Sequence, residues 1–190
     1  MKHFIHNKLF ELKRVTQQQG AAAVEFAFVV VVFFTLLLGI IEFGRFMYVW
    51  NTVQEVTRLA AREAVVSNFT NAEQDRVRRM AVFSIANSGN PSLPGAAEVS
   101  ASLIDIEYLN QLGVPVSALP DDPAGNVEEC LDNSNRCIRY VQVRLCEQGN
   151  GNQPCTGVRY QPMVGLFNFL DVEIPASTVI MPAESLGYAP

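Results

Sequence analysis

From Ala21 to Ile41 the chain carries one charged residue, Glu25, and from Phe26 to Ile41 it carries none. As a helix this run spans about 31 Å, enough to cross the hydrocarbon core of a bilayer. A carboxylate inside such a segment costs free energy, so it is normally absent or functional. Two readings of Glu25 follow. Either it has a partner within the membrane, or it reaches the interface by snorkelling from its place one turn inside the span.

The residues ahead of the run separate the two. Positions 1 to 19 hold Lys2, Lys8, Lys13 and Arg14 against Glu11. A basic flank of this kind stays in the cytoplasm and puts the C-terminal bulk outside. A secretory signal has its small-residue cut site behind the apolar run. Here Glu42-Phe43-Gly44-Arg45 follows the run, and the small residues, Gly20 to Ala23, lie in front of it. A protease that cuts here would leave the apolar stretch on the mature protein. Glycine ahead of the bond gives such a protease an unobstructed backbone; otherwise Gly20 is a plain turn before a helix.

A glycine followed by an apolar helix with glutamate as its fifth residue resembles the type IV prepilin processing site. The longer strings Gly20-Ala-Ala-Ala-Val-Glu-Phe-Ala27 and Leu38-Gly-Ile-Ile-Glu-Phe-Gly-Arg-Phe46 resemble the TadE family of pilin-like proteins, which belong to tight-adherence (Tad, or Flp) type IVc pilus systems. The resemblance extends through Asn51-Thr-Val53 and Ala60-Ala-Arg-Glu-Ala64, to about Ala64. It is loose beyond, where Ala176 to Glu184 is strand-like. It implies that Gly20 precedes the cut, that Ala21 is the new N-terminus and that Glu25 is the assembly glutamate. It also implies partners: a prepilin peptidase, other minor pilins, major pilin subunits and an inner-membrane assembly platform, besides membrane lipid. Its place would be a single pass of the inner membrane, N-terminus cytoplasmic and C-terminal domain extracytoplasmic, or within or at the tip of the pilus.

The chemistry of the pattern stands without the family. Cleavage after Gly20 would leave an ammonium on Ala21 with Glu25 one turn further on. In lipid or in a helical bundle neither charge is stable alone. Each can neutralise the other, within one subunit or between neighbours. An unpaired Glu25 favours docking where a partner cation waits, and so sets register as well as attraction.

Composition narrows the remaining classes. The formal net charge is −5, from 14 basic and 19 acidic residues. Without the 20-residue leader 10 basic and 18 acidic residues remain, a net of −8. Such a surface has no basic footprint for nucleic acid. Both histidines, His3 and His6, and all three lysines lie in the leader. The remainder therefore lacks a histidine base, histidine metal ligands, and Ser-Lys or Schiff-base chemistry. Paired carboxylates are left, but the expectation is no enzyme, no metal and no cofactor. Asp121-Asp122 and Glu128-Glu129 lack calcium-loop spacing and read as solvated loop charge.

Cys130, Cys137, Cys146 and Cys155 lack the Cys-x-x-Cys pairs of zinc sites. In an exported domain they predict disulfides. Between the middle two, Ile138 to Leu145 alternates like a strand, with Val141, Val143 and Leu145 on one face. Cys137 and Cys146 would then lie about 30 Å apart on opposite faces. The favoured pairing is Cys130–Cys137 and Cys146–Cys155, each closing a polar loop, Asp132 to Asn135 and Gly149 to Pro154. The crossed pairing Cys130–Cys146 with Cys137–Cys155, and free thiols, are the alternatives.

Beyond the span, Phe43, Phe46, Met47, Trp50, Val53, Thr57, Ala60 and Ala64 form a stripe at helical spacing, suited to a globular head. Arg45, Glu55, Arg58 and Arg62 project elsewhere, with Glu55 and Arg58 spaced to pair. Tyr48, Trp50 and Arg45 suit the outer membrane interface. A second amphipathic helix covers Ala72 to Ala86, capped by Asn71, with Val77, Met80, Ala81, Ser84 and Ile85 inward and Arg76, Arg78 and Arg79 solvated. Asn87 to Gly95 reads as a linker. Strands are expected near Glu98–Tyr108, Arg136–Leu145, Gly157–Gln161 and Ser177–Met181. Gln111 to Glu129 reads as loop.

The architecture is α+β: a leader over 1–20, a membrane and extended helix over 21–67, and a head over 68–190 with a short helix and a small antiparallel sheet. Type IV pilin-like proteins share this plan. Three functions compete: a minor pilin or pseudopilin acting in pilus assembly, and so in adhesion and biofilm formation; a major pilin; and a generic single-span envelope protein. By resemblance, Tad major pilins are far smaller than this chain. An envelope sensor would need a cytoplasmic output domain, for which the leader has no room. TadE, TadF and other TadE-domain members are not separated by these residues.

Overall fold

No proline occurs before Pro91, and helix α1 runs without a break over Lys2–Ala64 in this computed structural model. The structure describes residues 2–147, 155–165 and 171–188, with side chains from Gly20 onward. The leader's side chains and the expected polar loop Gly149 to Pro154 lie outside those described. The chain forms two compact units, Met1–Gly44 and Arg45–Pro190, so the last third of α1, from Arg45 on, belongs to the head and supplies part of its core.

In the head, α1 turns Val49, Val53, Val56, Ala60 and Ala64 inward, all buried. The expected stripe is therefore rotated. Val53, Thr57, Ala60 and Ala64 hold their places, whereas Phe43 and Met47 are exposed. Small and β-branched side chains on the inner face let the sheet approach closely, and the larger residues are left on the rim. Glu55 and Arg58 form no ion pair among the described residues.

Helix α2 covers Asn71–Ala81 and is shorter than expected. Thr70, not Asn71, is its N-cap, without a side-chain cap bond; Asn68 Oδ1 instead accepts from Thr70 N–H at 3.1 Å. Gln74, Val77 and Ala81 face inward, whereas Ile85 is 100% exposed. The helix stops because Phe83 takes a left-handed conformation, φ 60°. Arg76 and Arg78 are not simply solvated. Arg76 pairs with Glu63 and Glu73 at 2.8 and 2.7 Å, and Arg78 donates to Asp75 and to the Ile104 carbonyl.

The expected linker contains strand β1, Ser92–Leu93, which turns at Gly95 (φ 78°) and pairs antiparallel with β2, Ala96–Ser100. The single strand expected near Glu98–Tyr108 is two strands separated by a 3-10 turn at Ala101–Leu103. Asn90 pins that turn, its Oδ1 accepting from Ser102 N–H at 2.8 Å and its Nδ2 donating to Ser102 Oγ.

Strands β3 (Ile104–Leu109), β4 (Tyr140–Leu145) and β5 (Val179–Pro182) form an antiparallel sheet in that order. The alternation in the sequence is realised: Val141, Val143 and Leu145 are fully buried, opposite Tyr108, Ile106 and Ile104. On the outer face Asp105 and Arg144 are cross-strand partners, 2.8 Å apart. The strand expected at Gly157–Gln161 is reduced to an Arg159–Glu173 bridge flanked by two backbone bonds, Tyr160 to Val172 and Ile174 to Val158. Arg136 to Arg139 precede β4 rather than belonging to it.

The expected loop from Gln111 to Glu129 holds a third helix, α3, over Pro123–Leu131. Asp122 caps it, Oδ1 accepting from Gly125 N–H at 2.6 Å, and proline occupies the first turn. At the far end of the chain, Glu184, Leu186 and Gly187 donate backbone N–H groups to the carbonyls of Val65 and Val66, closing the end of α1. Gly187, at φ 80°, lies where a Cβ would meet the Asn68 backbone at 2.8 Å.

Candidate functional site

In the first unit the apolar run is a bare helix. Phe26, Phe28, Val29, Val32, Leu36 and Ile40 are all exposed. Among the described residues, α1 is the one helix long and apolar enough to cross a membrane, and none of its most apolar window is buried. A soluble core helix would be covered; this one is left largely open by the described residues, as a membrane anchor would be. Thr35 fits that setting, since its Oγ1 donates to the Val31 carbonyl at 2.8 Å and leaves no free hydroxyl donor.

Gly20, Ala21 and Glu25 stand at the head of this run, all helical and exposed. A Cβ added to Gly20 would meet nothing within 4 Å. The chain's own packing therefore does not call for glycine there. Ala21 and Glu25 are four residues apart on one helix, about 5–6 Å between Cβ atoms in regular geometry. A charge on each would face the other along a single side of α1.

In the second unit, the first head residue of α1 is heavily bonded. Arg45 Nη2 lies 2.8 Å from both carboxylate oxygens of Glu98, Nε donates to the Gly95 carbonyl at 3.0 Å, and Nη1 to the Gln161 carbonyl at 2.8 Å. Its guanidinium also lies 4.9 Å from the centre of the Tyr160 ring. Tyr48 Oη donates to the Pro94 carbonyl at 2.9 Å. Arg45 and Tyr48, expected to suit the outer membrane interface, both tie α1 to the β1–β2 turn. Trp50 is half-buried, its ring 5.4 Å from Phe46. Nothing local in the sequence announces Glu98 as the partner of a residue 53 positions away.

Both favoured disulfides are present, Cys130–Cys137 and Cys146–Cys155, with Cα atoms 4.6 and 5.4 Å apart. The first joins the end of α3 to the approach to β4. Asn126, buried on α3, makes the same connection, its Oδ1 accepting from Ile138 N–H at 2.8 Å. The acidic pairs have structural work as well: Asp122 caps α3 and Glu129 pairs with Arg136 at 3.1 Å. No group of three or more His, Cys, Asp or Glu is arranged to hold a metal among the described residues.

Residues 20–62 match the family described as TadE-like protein. The matched segment begins at Gly20, contains Glu25 and Arg45, and ends two residues before α1 does. No curated protein and no solved structure matches the chain. The N-terminal segment is thus TadE-like, and most of the head, including Glu98 and all four cysteines, lies outside the match.

Proposed function

We propose that this protein is a TadE-like minor pilin or pseudopilin of a type IVc Tad pilus. A prepilin peptidase removes residues 1–20, and the mature protein begins at Ala21. It crosses the inner membrane once, with its N-terminus cytoplasmic and its head outside. It docks through its apolar helix with other minor pilins, major pilin subunits and the assembly platform. Its work is to initiate or cap a filament rather than to catalyse, and through the pilus it serves adhesion and biofilm formation.

One observation carries this reading. Gly20, Ala21 and Glu25 open an apolar helix that the described residues leave uncovered, inside the segment that matches the TadE-like family. Gly20 packs against nothing among the described residues, so its lack of a side chain is open to use by something outside, as a protease approaching the backbone would use it. Within the head, the buried salt link from Arg45 to Glu98 ties the last part of α1 to strand β2.

The test is the N-terminal sequence of the protein recovered from membranes of a piliated strain. Ala21 as first residue supports the proposal. Gly20 replaced by a bulky residue should leave the precursor uncut in the membrane. A mature chain that still begins at Met1 while pili are made would overturn it.

A further inference from the structure

The end of α2 is built against its own stability. Phe83 N–H donates to the Met80 carbonyl at 2.9 Å and Ser84 N–H to the Arg79 carbonyl at 3.1 Å. This is a helix-ending turn whose left-handed position glycine or asparagine ordinarily fills. Here Phe83 fills it, at φ 60° and 51% exposed. A bulky side chain in that region is a true outlier, and strain held at the surface points to use outside the fold.

Two neighbours share the feature. Ile85 projects completely into solvent. Arg79 lines the adjoining grooves, of about 410 and 360 Å³, yet its guanidinium makes no hydrogen bond or ion pair among the described residues. An exposed aromatic, an exposed aliphatic and an unused guanidinium have the composition of a binding hot spot. The charge asks for an acidic, partly apolar partner.

The chain presents such a surface elsewhere. Along α3, Val127 and Leu131 are exposed at i, i+4 spacing, Leu131 to 77%. On the neighbouring face of α3, Asp121, Asp122, Glu128 and Asp132 line a groove of about 400 Å³ together with Glu129 and its ion-pair partner Arg136. Glu128 forms no ion pair among the described residues. Both surfaces are exposed in a single chain, so neither is occupied by the other.

We infer that the Arg79–Phe83–Ile85 surface of one copy receives the acidic α3 lobe of a second copy. Arg79 meets the carboxylates while Phe83 and Ile85 meet Val127 and Leu131. The two surfaces differ, so the contact is head-to-tail and extends into a row rather than closing as a pair. The inference goes beyond the pilin proposal and uses neither the leader nor the membrane helix, so N-terminal sequencing decides that proposal separately.

Two differently tagged full-length copies, one Ile85→Cys and the other Leu131→Cys, are co-expressed, and membranes are oxidised mildly. The mixed-tag disulfide should exceed either single-variant dimer severalfold. Arg79→Glu should lower its yield roughly tenfold, equivalent to about 1.4 kcal/mol, and Glu128→Arg on the other copy should restore it. Phe83→Gly should lower the cross-link while leaving the Tm of the purified protein unchanged or higher. An Ile85→Cys dimer that predominates, cross-linking mainly to another protein, or no cross-link from thiols that react with maleimide would each overturn the inference. So would a Tm lowered by Phe83→Gly, which would give the ring a role within the fold.

Discussion

Arg45 places its Nη2 2.8 Å from both carboxylate oxygens of Glu98, and the glutamate side chain is only 2% exposed. A buried carboxylate survives in a core only with a cation fixed beside it. Arg45 is fixed by two backbone carbonyls and a tyrosine ring. The pair ties the first helical turn of the head to strand β2, across 53 residues of chain.

Removal of one partner should therefore be far worse than removal of both. Glu98→Ala removes the carboxylate that joins Arg45 to β2 and should destabilise the head by about 1–3 kcal/mol. Arg45→Met combined with Glu98→Leu should cost clearly less than the sum of the single changes. Denaturant unfolding followed by Trp50 fluorescence gives the three values. Equal costs for the single and double variants would show that packing, not charge, holds this corner.

The link between α3 and β4 is double, through Cys130–Cys137 and the bond from Ile138 N–H to Asn126. Replacing both cysteines by serine should cost about 2–3 kcal/mol in the chain-entropy model for so short a loop. Asn126→Ala strands a buried N–H and should cost about 1–3 kcal/mol. The combined variant should free α3 from the sheet, visible as hydrogen exchange across Pro123–Leu131 with β3 still protected. Non-reducing peptide mapping should recover both disulfides of the head.

What could be read in advance, and what could not, follows from the range of the interactions. The apolar run, the strand Tyr140–Leu145 and the two short cysteine loops are local patterns, and each is present. Helix α3 was locally visible too, in Asp122-Pro123, but the density of Pro, Asp and Gly around it reads as loop. The end of α2 is hidden because a phenylalanine, not a glycine, takes the left-handed turn. The rotation of the α1 stripe is hidden because residues 43–50 are apolar on nearly every side, so periodicity selects no face. Arg45–Glu98 joins two unremarkable stretches, and only folding makes them neighbours. For the site itself, the sequence supplies Gly20, Ala21 and Glu25, and the structure adds that all three are exposed among the described residues.

Alkaline pH should test the core through Tyr108. The residue is buried on β3 with its ring 6.1 Å from that of Phe69, and burial pushes its hydroxyl pKa from 10.0 up to about 12, against a small opposing effect of Arg78. The unfolded chain loses this proton near pH 10, while the folded chain keeps it to about pH 12. Stability from this group is thus complete below pH 10 and is lost as pH rises through 12, on the order of 3 kcal/mol. Tyr108→Phe should flatten that part of the pH profile of denaturant midpoints. An unchanged slope between pH 10 and 12 would count against burial of the hydroxyl.

Glu25 carries the sharpest prediction. Glu25→Ala should insert and be processed normally, since it makes the span more apolar and leaves Gly20 and Ala21 untouched. It should nevertheless fail to support pili, because the only charge in the run from Ala21 to Ile41 is gone. The loss belongs to helix docking, where Glu25 would meet the Ala21 ammonium of its own or a neighbouring subunit. Glu25→Gln separates the components: it retains shape and hydrogen bonding and removes charge. Partial piliation with glutamine and none with alanine would assign part of the effect to hydrogen bonding. Pull-down of partner pilins from detergent-solubilised membranes measures the docking step directly and should fall in the same order, wild type, then glutamine, then alanine. Wild-type piliation together with wild-type pull-down by Glu25→Ala would mean that the carboxylate only snorkels to the interface, and the assembly role assigned to it would be wrong.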